Sequence, residues 1–236
     1  GFFDNLDHSI IKKNWGKIMG YDNRLPRDEY QVFKNITKYA YVLESDLFSL
    51  FKDSIICKNK DGINQKKIKW ISDTRRKNAI AFCTPKDIKI IREKGLLHTY
   101  RETKGIPQGL SISAVIANLY MCDFDKKINE LIKNDNGIYK RYSDDIVIVC
   151  PIKNAMYWRD YVVNEIQYVK LEIQPEKTNV FYYKRVNNDV ICSPDTANKK
   201  KQIEYLGFTF DGKRILLKNA TIGSYYHKMW IDKRRR

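Results

Sequence analysis

The sequence has no long hydrophobic run and no signal-like N-terminus. No window reaches the roughly 18 consecutive apolar residues that a membrane helix requires. The first residues also lack the basic-then-apolar pattern of a secretory signal. These absences predict a soluble, cytoplasmic protein without a membrane partner.

Cysteine and histidine are few and scattered. Five cysteines and three histidines occur among the 236 residues, with no CxxC pair and no metal-ligand spacing. This pattern argues against zinc binding and thiol redox chemistry. We expect reduced cysteines and mainly structural or surface roles for Cys57, Cys83, Cys122, Cys150, Cys192, His8, His98 and His227.

Acidic residues are outnumbered by basic ones. There are 44 Lys and Arg but only 28 Asp and Glu, which gives a net charge of +16 at pH 7. A polyanion such as DNA or RNA is the natural partner for this excess. The alternative is a lysine-rich composition in which most basic side chains are simply solvated. The charge therefore favours nucleic-acid binding without proving it.

The spacing of apolar residues predicts helices at 7–20, 28–51, 84–94, 112–134 and 155–171. Asp7 and Ser9 are candidate N-terminal caps of the first helix, and Gly20 is its candidate stop. The order of elements lacks the regular βαβ cadence and the Gly-rich turn of a dinucleotide-binding fold. We therefore predict a mixed α+β fold with a largely antiparallel sheet.

Strand composition is concentrated in the second half of the chain. Residues 139–150 have the composition of two strands joined by a turn, and residues 178–186 that of a further strand. Asp61-Gly62 and Asp211-Gly212 are typical of hairpin turns. The polar segment 187–202 is expected to form an exposed loop or hairpin.

Two adjacent aspartates, Asp144 and Asp145, stand at the turn of the segment YKRYSDDIVIVC. Neighbouring carboxylates repel each other, and a divalent cation removes that cost. Magnesium prefers oxygen ligands, commonly one or two carboxylates together with substrate phosphates. The alternative is a solvated turn in which the aspartates bond to their own backbone.

Other motifs surround this turn in a recognisable order: FFDNLDH at 2–8, KGIPQGLSIS at 104–113, LEIQPEKTNV at 171–180 and LGF at 206–208. Together with YSDD they resemble the palm of reverse transcriptases, and the resemblance extends over nearly the whole chain. It implies a right-hand polymerase palm over residues 1–218, with part of the fingers, in which a mostly antiparallel sheet is flanked by helices. It also implies the start of a helical thumb over residues 219–236.

The resemblance implies two-metal nucleotidyl transfer. Asp144 and Asp145 would bind two Mg2+ ions, with Mn2+ as a possible substitute, that stabilise the attacking and leaving oxygens. Lys177 would give a proton or charge to the departing pyrophosphate; the alternative is an ordinary surface lysine. These enzymes carry a further metal-binding aspartate, expected three residues before Gly1. Finger segments are expected before it, and a further region after residue 236.

The other implied site residues contact the substrates, which would be deoxynucleoside triphosphates and DNA or RNA. Phe3 matches the aromatic residue beneath the incoming sugar, where its ring excludes a 2′-hydroxyl; the alternative is a core phenylalanine. Gln108 and Gly109 would contact the incoming nucleotide, although a solvated glutamine is the alternative. The primer grip would consist of Leu206, Gly207 and Phe208.

The PQG motif also narrows the resemblance. It continues as Leu110-Ser111-Ile112-Ser113, where intron-encoded enzymes commonly have Ser-Pro, and it is most similar to the abortive-infection (Abi, AbiK-like) and other bacterial defence-associated reverse transcriptases. That group implies antiphage defence, homo-oligomers, and in some members untemplated synthesis that starts from a protein tyrosine. Two alternatives remain: a retron or group II intron-type enzyme that copies RNA, and an inactive palm that serves as a nucleic-acid-binding or assembly module.

Overall fold

The computed structural model describes residues 1–21, 24–60, 62–194 and 202–235. The α-helices are α1 (His8–Met19), α2 (Arg27–Thr37), α3 (Glu44–Phe51), α4 (Ile88–Glu93), α5 (Ser113–Asn134), α6 (Ala155–Tyr168) and α7 (Asn219–Arg235). The strands are β1 (Ala40–Tyr41), β2 (Ile55–Asn59), β3 (Gly62–Lys66), β4 (Ala79–Ala81), β5 (His98–Thr99), β6 (Ile138–Tyr142), β7 (Asp145–Val149), β8 (Phe181–Val186), β9 (Asp189–Pro194), β10 (Ile203–Tyr205), β11 (Phe208–Phe210) and β12 (Ile215–Leu217).

The chain divides into two compact units, one made of residues 1–25 and 104–236 and the other of residues 26–103. The first unit contains the sheets β6-β7, β8-β9 and β10-β11-β12, and the second contains β1-β5 and β3-β2-β4. The strand pairs in these sheets are all antiparallel. Helices combined with antiparallel sheets confirm the predicted α+β class.

Helix α5 forms the centre of the first unit. Its buried side chains recur every three or four residues and therefore share one face: Ile116, Ala117, Tyr120, Met121, Phe124, Ile128 and Ile132. Burial of each large apolar side chain contributes about 2 kcal/mol. Helices α1 and α6 and strand β6 pack on α5, and the buried Asn14 amide of α1 donates to the carbonyls of Leu119 and Tyr120.

Both ends of α1 are as predicted. The Asp7 side chain accepts hydrogen bonds from the N–H groups of Ser9 and Ile10 and so caps the N-terminus. Gly20, with a φ of 75°, ends the helix in the left-handed region. The residue types at the two ends therefore set the length of this helix.

The second unit has a small core of its own, in which Ile55, Cys57 and Ile68 are fully buried. The helix predicted over 28–51 was wrong as one continuous element, because the chain forms α2 and α3 with strand β1 between them. Strand β1 pairs with β5, and the Tyr39 and Tyr100 rings stack at 4.7 Å. Pairing with a distant segment has overridden the helical spacing.

The other predicted elements are confirmed where the structure describes them. Helices α5 and α6 fill their predicted segments, and the helix near 84–94 is α4, preceded by a 3-10 turn at Pro85–Asp87. The segment 187–202 supplies β9, which pairs with β8, although 195–201 lie outside the described residues. Asp61 also lies outside them, and the strands before and after it pair as the predicted hairpin. None of the helices in the described part of the chain combines the length and apolar character needed to cross a membrane.

Candidate active site

The YSDD segment forms the tight turn of the β6-β7 hairpin. Tyr142 of β6 pairs with Asp145 of β7, so Ser143 and Asp144 are the two turn residues. Ser143 has a φ of +56°, a value that glycine adopts most readily at the first central position of a hairpin turn. Both aspartate side chains are exposed. The predicted strand, turn and strand are confirmed, and the turn presents two carboxylates to solvent.

One face of this hairpin packs against α5. The ring of Tyr139 lies 6.2 Å from the ring of Phe124. Asp125 of α5 accepts hydrogen bonds from the Tyr139 hydroxyl at 2.6 Å and from Arg141 Nε and Nη2 at 2.8 and 2.6 Å. Arg141 Nη1 also donates to the backbone oxygen of Ser143 at 2.8 Å. A single arginine side chain therefore joins the turn to the central helix.

The charges beneath the turn have fixed protonation states. Burial acts to lower the pKa of Arg141, but the hydrogen bonds and charge of Asp125 outweigh it and raise that pKa. Burial, together with Asp125, raises the pKa of Tyr139. At neutral pH the guanidinium is therefore charged and the phenol is neutral, as the hydrogen bonds to Asp125 require.

The N-terminal motif lies beside the segment that carries the PQG motif. The N–H of Ile106 donates to the carbonyl of Phe3 at 3.0 Å. Phe3 is half-buried in a short 3-10 helix, and its ring contacts that of Phe2 edge to face at 5.4 Å. The backbone of Phe3 is thus hydrogen-bonded to the chain two residues before Gln108.

The PQG turn leads directly into α5. Gly109 has a φ of +93°, in the region where only glycine is unstrained. The hydroxyl of Ser113, the first residue of α5, donates to the carbonyl of Pro107 at 2.6 Å. The Gln108 side chain is exposed. The turn is therefore held by its neighbours while its glutamine stays accessible to a ligand.

The LGF segment forms the turn of the β10-β11 hairpin. Tyr205 pairs with Phe208, and the two turn residues, Leu206 and Gly207, have φ values of 48° and 83°. Two positive φ values define a type I′ turn, in which Asn and Gly are the usual residues. Leu206 and Phe208 are 44% and 50% exposed. The predicted primer grip is thus a hairpin tip that presents apolar side chains.

The charges of the β6-β7 hairpin affect the pKa of Tyr205. Burial raises the pKa of Tyr205 and the charge of Asp145 raises it further, whereas Arg141 lowers it. The phenol is therefore within electrostatic range of both residues of the β6-β7 hairpin. The charges of the YSDD hairpin therefore act on the strand that leads into the LGF turn.

Lys177 has no hydrogen bond or ion pair with the other predicted site residues in the described part of the chain, and the segment with Phe3, Gln108 and Gly109 has no hydrogen bond to the YSDD turn there. Lys177 ends a 3-10 helix, and its side chain is exposed. Its described contacts are local: its N–H donates to the Gln174 carbonyl, and its own carbonyl accepts from the Asn179 side chain. Among the described residues no hydrogen bond or ion pair links it to Asp144 or Asp145.

Asp144 and Asp145 are the residues that could hold a divalent ion. Magnesium commonly takes one or two carboxylates and completes its octahedron with waters and substrate phosphates, so two exposed carboxylates on a rigid turn fit that requirement. Within the described ranges no group of three or more His, Cys, Asp and Glu side chains converges. Waters and substrate phosphates would complete the coordination of an ion held by these two carboxylates.

Asp7 has a structural role in the same unit. Beyond capping α1, its carboxylate accepts from Lys170 Nζ at 2.7 Å, and its N–H donates to the Tyr120 hydroxyl at 3.4 Å. Burial acts to raise the pKa of Asp7, but hydrogen bonds from Lys170, Ser9 and Ile10 bring it down to about 2. This confirms the prediction that Asp7 is a helix cap.

The chain belongs to the reverse transcriptase family. The model of the family described as reverse transcriptase (RNA-dependent DNA polymerase) matches residues 8–210, which is most of the chain. Reverse transcriptases bind nucleic acid and deoxynucleoside triphosphates and use divalent metal ions. No curated protein matches the sequence.

Two solved structures of telomerase from Candida tropicalis are similar to the chain. Apo telomerase truncated from the C-terminal domain shares 12% identity and has a TM-score of 0.45, with coverage of 92% of this chain and 34% of that one. Apo telomerase shares 14% identity and has a TM-score of 0.46, with coverage of 91% and 31%. The chain thus spans about a third of the length of either telomerase.

Sequence reasoning missed the residues beneath the YSDD turn. Asp125 falls four residues after Met121 and three before Ile128, which places a carboxylate on the edge of the buried stripe of α5. Arg141 shares its hairpin face with the buried Tyr139 because side chains alternate along a strand. An acidic residue beside the buried stripe of α5 and a basic residue on the hairpin face that carries Tyr139 are the signal that would have predicted this pair.

Proposed function

We propose that this chain is the palm of an active DNA polymerase of reverse transcriptase type and that Asp144 and Asp145 hold its divalent ions, which we take to be Mg2+. The observation that carries the proposal is the YSDD turn, which exposes both carboxylates and is tied to Asp125 of α5 through Arg141. Membership of the reverse transcriptase family supports it. Bound metal ions would stabilise the attacking and leaving oxygens of nucleotidyl transfer.

The neighbouring motifs support roles in substrate binding. We assign Gln108 and Gly109 to the incoming nucleotide, because the positive φ of Gly109 keeps the backbone of the turn open. Phe3, whose carbonyl is bonded to the same segment, would face the sugar and exclude a 2′-hydroxyl. Lys177 is exposed and would reach the departing pyrophosphate once substrate is bound.

The apolar tip of the β10-β11 hairpin would contact the primer strand. Leu206 and Phe208 are exposed there, and Gly207 has a positive φ that fits the tight turn and adds no side chain to the tip. The charge effect of Asp145 on Tyr205 supports a position next to the carboxylates. We propose that the palm covers residues 1–218 and that residues 219–236 begin the thumb.

We further propose that the enzyme acts in bacterial antiphage defence, as a cytoplasmic homo-oligomer of the abortive-infection type. The support is the sequence that follows the PQG turn, where Ile112-Ser113 replaces the Ser-Pro common in intron-encoded enzymes. Synthesis without a template, primed from a protein tyrosine, belongs to this proposal. RNA-templated copying of the retron or group II intron type is the alternative.

The test incubates the protein, as its gene encodes it, with labelled deoxynucleotides and Mg2+ or Mn2+, with and without an RNA template and primer. We expect Asp144→Ala to reduce incorporation by about a thousandfold or more, because loss of metal binding removes several kcal/mol of transition-state stabilisation. Asp160→Ala, which removes an exposed aspartate on α6 paired with its neighbour Arg159, is the matched control and should behave as the wild type.

Comparing the reactions with and without an RNA template distinguishes the abortive-infection type from the retron or intron type. Template-free product that remains attached to protein supports the abortive-infection type, and product that requires RNA supports the retron or intron type. Incorporation that Asp144→Ala leaves unchanged would overturn the metal-site assignment. Nucleic-acid binding without incorporation would favour an inactive binding module.

A further inference from the structure

The guanidinium of Arg141 bridges α5 and the YSDD turn. Two of its nitrogens donate to the two oxygens of Asp125, at 2.8 and 2.6 Å, and a third donates to the Ser143 carbonyl at 2.8 Å. The Arg141 side chain is only 5% exposed. Since Asp125 lies on α5, the contact ties a surface turn to the most deeply packed helix of the unit.

The turn held by Arg141 is strained. Ser143 has a φ of +56°, and a non-glycine residue in the left-handed region costs about 1 kcal/mol or more unless its surroundings hold it there. The hydrogen bond from Arg141 fixes the orientation of the Ser143 peptide group. That peptide group leads directly into Asp144, so its orientation sets where the Asp144 carboxylate points.

The two carboxylates have little else to position them. Both are exposed, and among the described residues neither takes part in a hydrogen bond or ion pair through its side chain. Neighbouring carboxylates also repel each other and so do not hold each other in place. The turn backbone must therefore supply the rigidity, and among the described residues Arg141 is the side chain that donates a hydrogen bond to it.

A second network on the same helix shows what a purely structural contact looks like. Asp135, at the C-terminal end of α5, accepts hydrogen bonds from the side chains of Asn154 and Trp158 at 2.6 to 2.8 Å. This cluster fixes α6 to α5 and has no contact with the YSDD turn in the described structure. It provides a control for general loss of stability.

We propose that Arg141, fixed by Asp125, is a positioning residue that holds the YSDD turn in its strained form and so aims the Asp144 carboxylate. The functional part of this proposal rests on the proposed polymerase activity. The conformational part does not, because it concerns the turn of the unliganded protein. In this role Arg141 contacts no substrate and acts only through the backbone of Ser143.

The principal variant is Arg141→Lys. A lysine keeps the charge next to Asp125, but its single ammonium lacks the planar fork that reaches the carboxylate and the Ser143 carbonyl together. Amide hydrogen exchange of the peptide that spans residues 142–146 should become about tenfold faster or more, with little change in the thermal midpoint. Asp135→Ala should lower the midpoint and leave exchange in this peptide unchanged.

Glycine at the turn provides a rescue experiment. Ser143→Gly removes the cost of the positive φ, so the double variant Arg141→Lys with Ser143→Gly should recover slow exchange. For incorporation, Arg141→Lys should reduce kcat by about 10- to 100-fold, the usual effect of losing a residue that orients metal ligands. The KM for deoxynucleotide should stay within about twofold, since positioning acts on the transition state.

The outcomes separate this proposal from the proposed function. Absence of incorporation by the wild type would reject the polymerase, while the exchange measurement would still decide whether Arg141 holds the turn. Unchanged exchange in Arg141→Lys, or no recovery in the double variant, would overturn the positioning role. Asp125→Asn is the second variant: it leaves Arg141 in place, and it should speed exchange in the same peptide.

Discussion

Replacement of Asp7 by alanine tests the assignment of that residue as a structural cap. The pKa of Asp7 is about 2, against an ordinary value of 3.8. At 1.36 kcal/mol per pKa unit this difference corresponds to about 2.5 kcal/mol, and solvent screening of the partly exposed carboxylate lowers the figure to about 1 to 2 kcal/mol. Loss of an N-terminal cap gives a similar value, about 1 kcal/mol.

The pH dependence of this effect has a definite sign. Because the folded-state pKa is depressed, the stabilisation is fully present above pH 3.8 and is lost as the pH falls through about 2. Urea unfolding of wild type and Asp7→Ala should therefore differ by about 1 to 2 kcal/mol at pH 7, and the difference should narrow progressively below pH 4. Lys170→Met should lower the free energy of unfolding by less than about 1 kcal/mol, because the lysine is exposed.

The same variant separates a cap from a metal ligand. If Asp7 only caps α1, Asp7→Ala should keep incorporation that depends on the divalent ion, at temperatures where the variant remains folded. Equal stability of variant and wild type at pH 7, or a difference that persists unchanged down to pH 2, would refute the reasoning. So would a stable variant that has lost its response to the metal ion.

Two further substitutions test the hairpins of the site. Leu206→Asn should raise the free energy of unfolding by about 1 kcal/mol, because asparagine tolerates a positive φ. The same variant should lower incorporation, because it removes an apolar contact to the primer. A variant less stable than the wild type would contradict the turn assignment. Gly137→Ala should destabilise by about 1 to 3 kcal/mol in urea, since its methyl group would lie 2.6 Å from Ile132 Cγ1 and 2.8 Å from the Val149 carbonyl. In the control Gly223→Ala the new methyl group lies in open space on α7, so the free energy of unfolding should stay unchanged or rise by up to about 1 kcal/mol. Equal effects of the two substitutions would argue against the close packing around Gly137.

Local signals in the sequence determined the ends of elements and the turns. Asp7 and Gly20 set the length of α1 because a cap needs a side-chain acceptor at one end and a left-handed residue at the other. The apolar stripe of α5 was visible from its spacing alone. Asp144 and Asp145 were recognisable as a candidate site because adjacent carboxylates repel each other and because the motifs around them, in their order along the chain, resemble those of reverse transcriptases.

Tertiary structure decided what the local signals left open. The segment 28–51 has helical spacing, yet strand β1 interrupts it because β5, more than 50 residues away, provides a pairing partner. The contact of Arg141 with Asp125 and Ser143 has the same origin, since α5 and the hairpin meet only in the folded chain. Sequence patterns report the preferences of neighbouring residues, whereas distant contacts depend on how whole elements pack. For that reason the sequence alone determined which carboxylates form the candidate site, and only the fold showed what holds them in place.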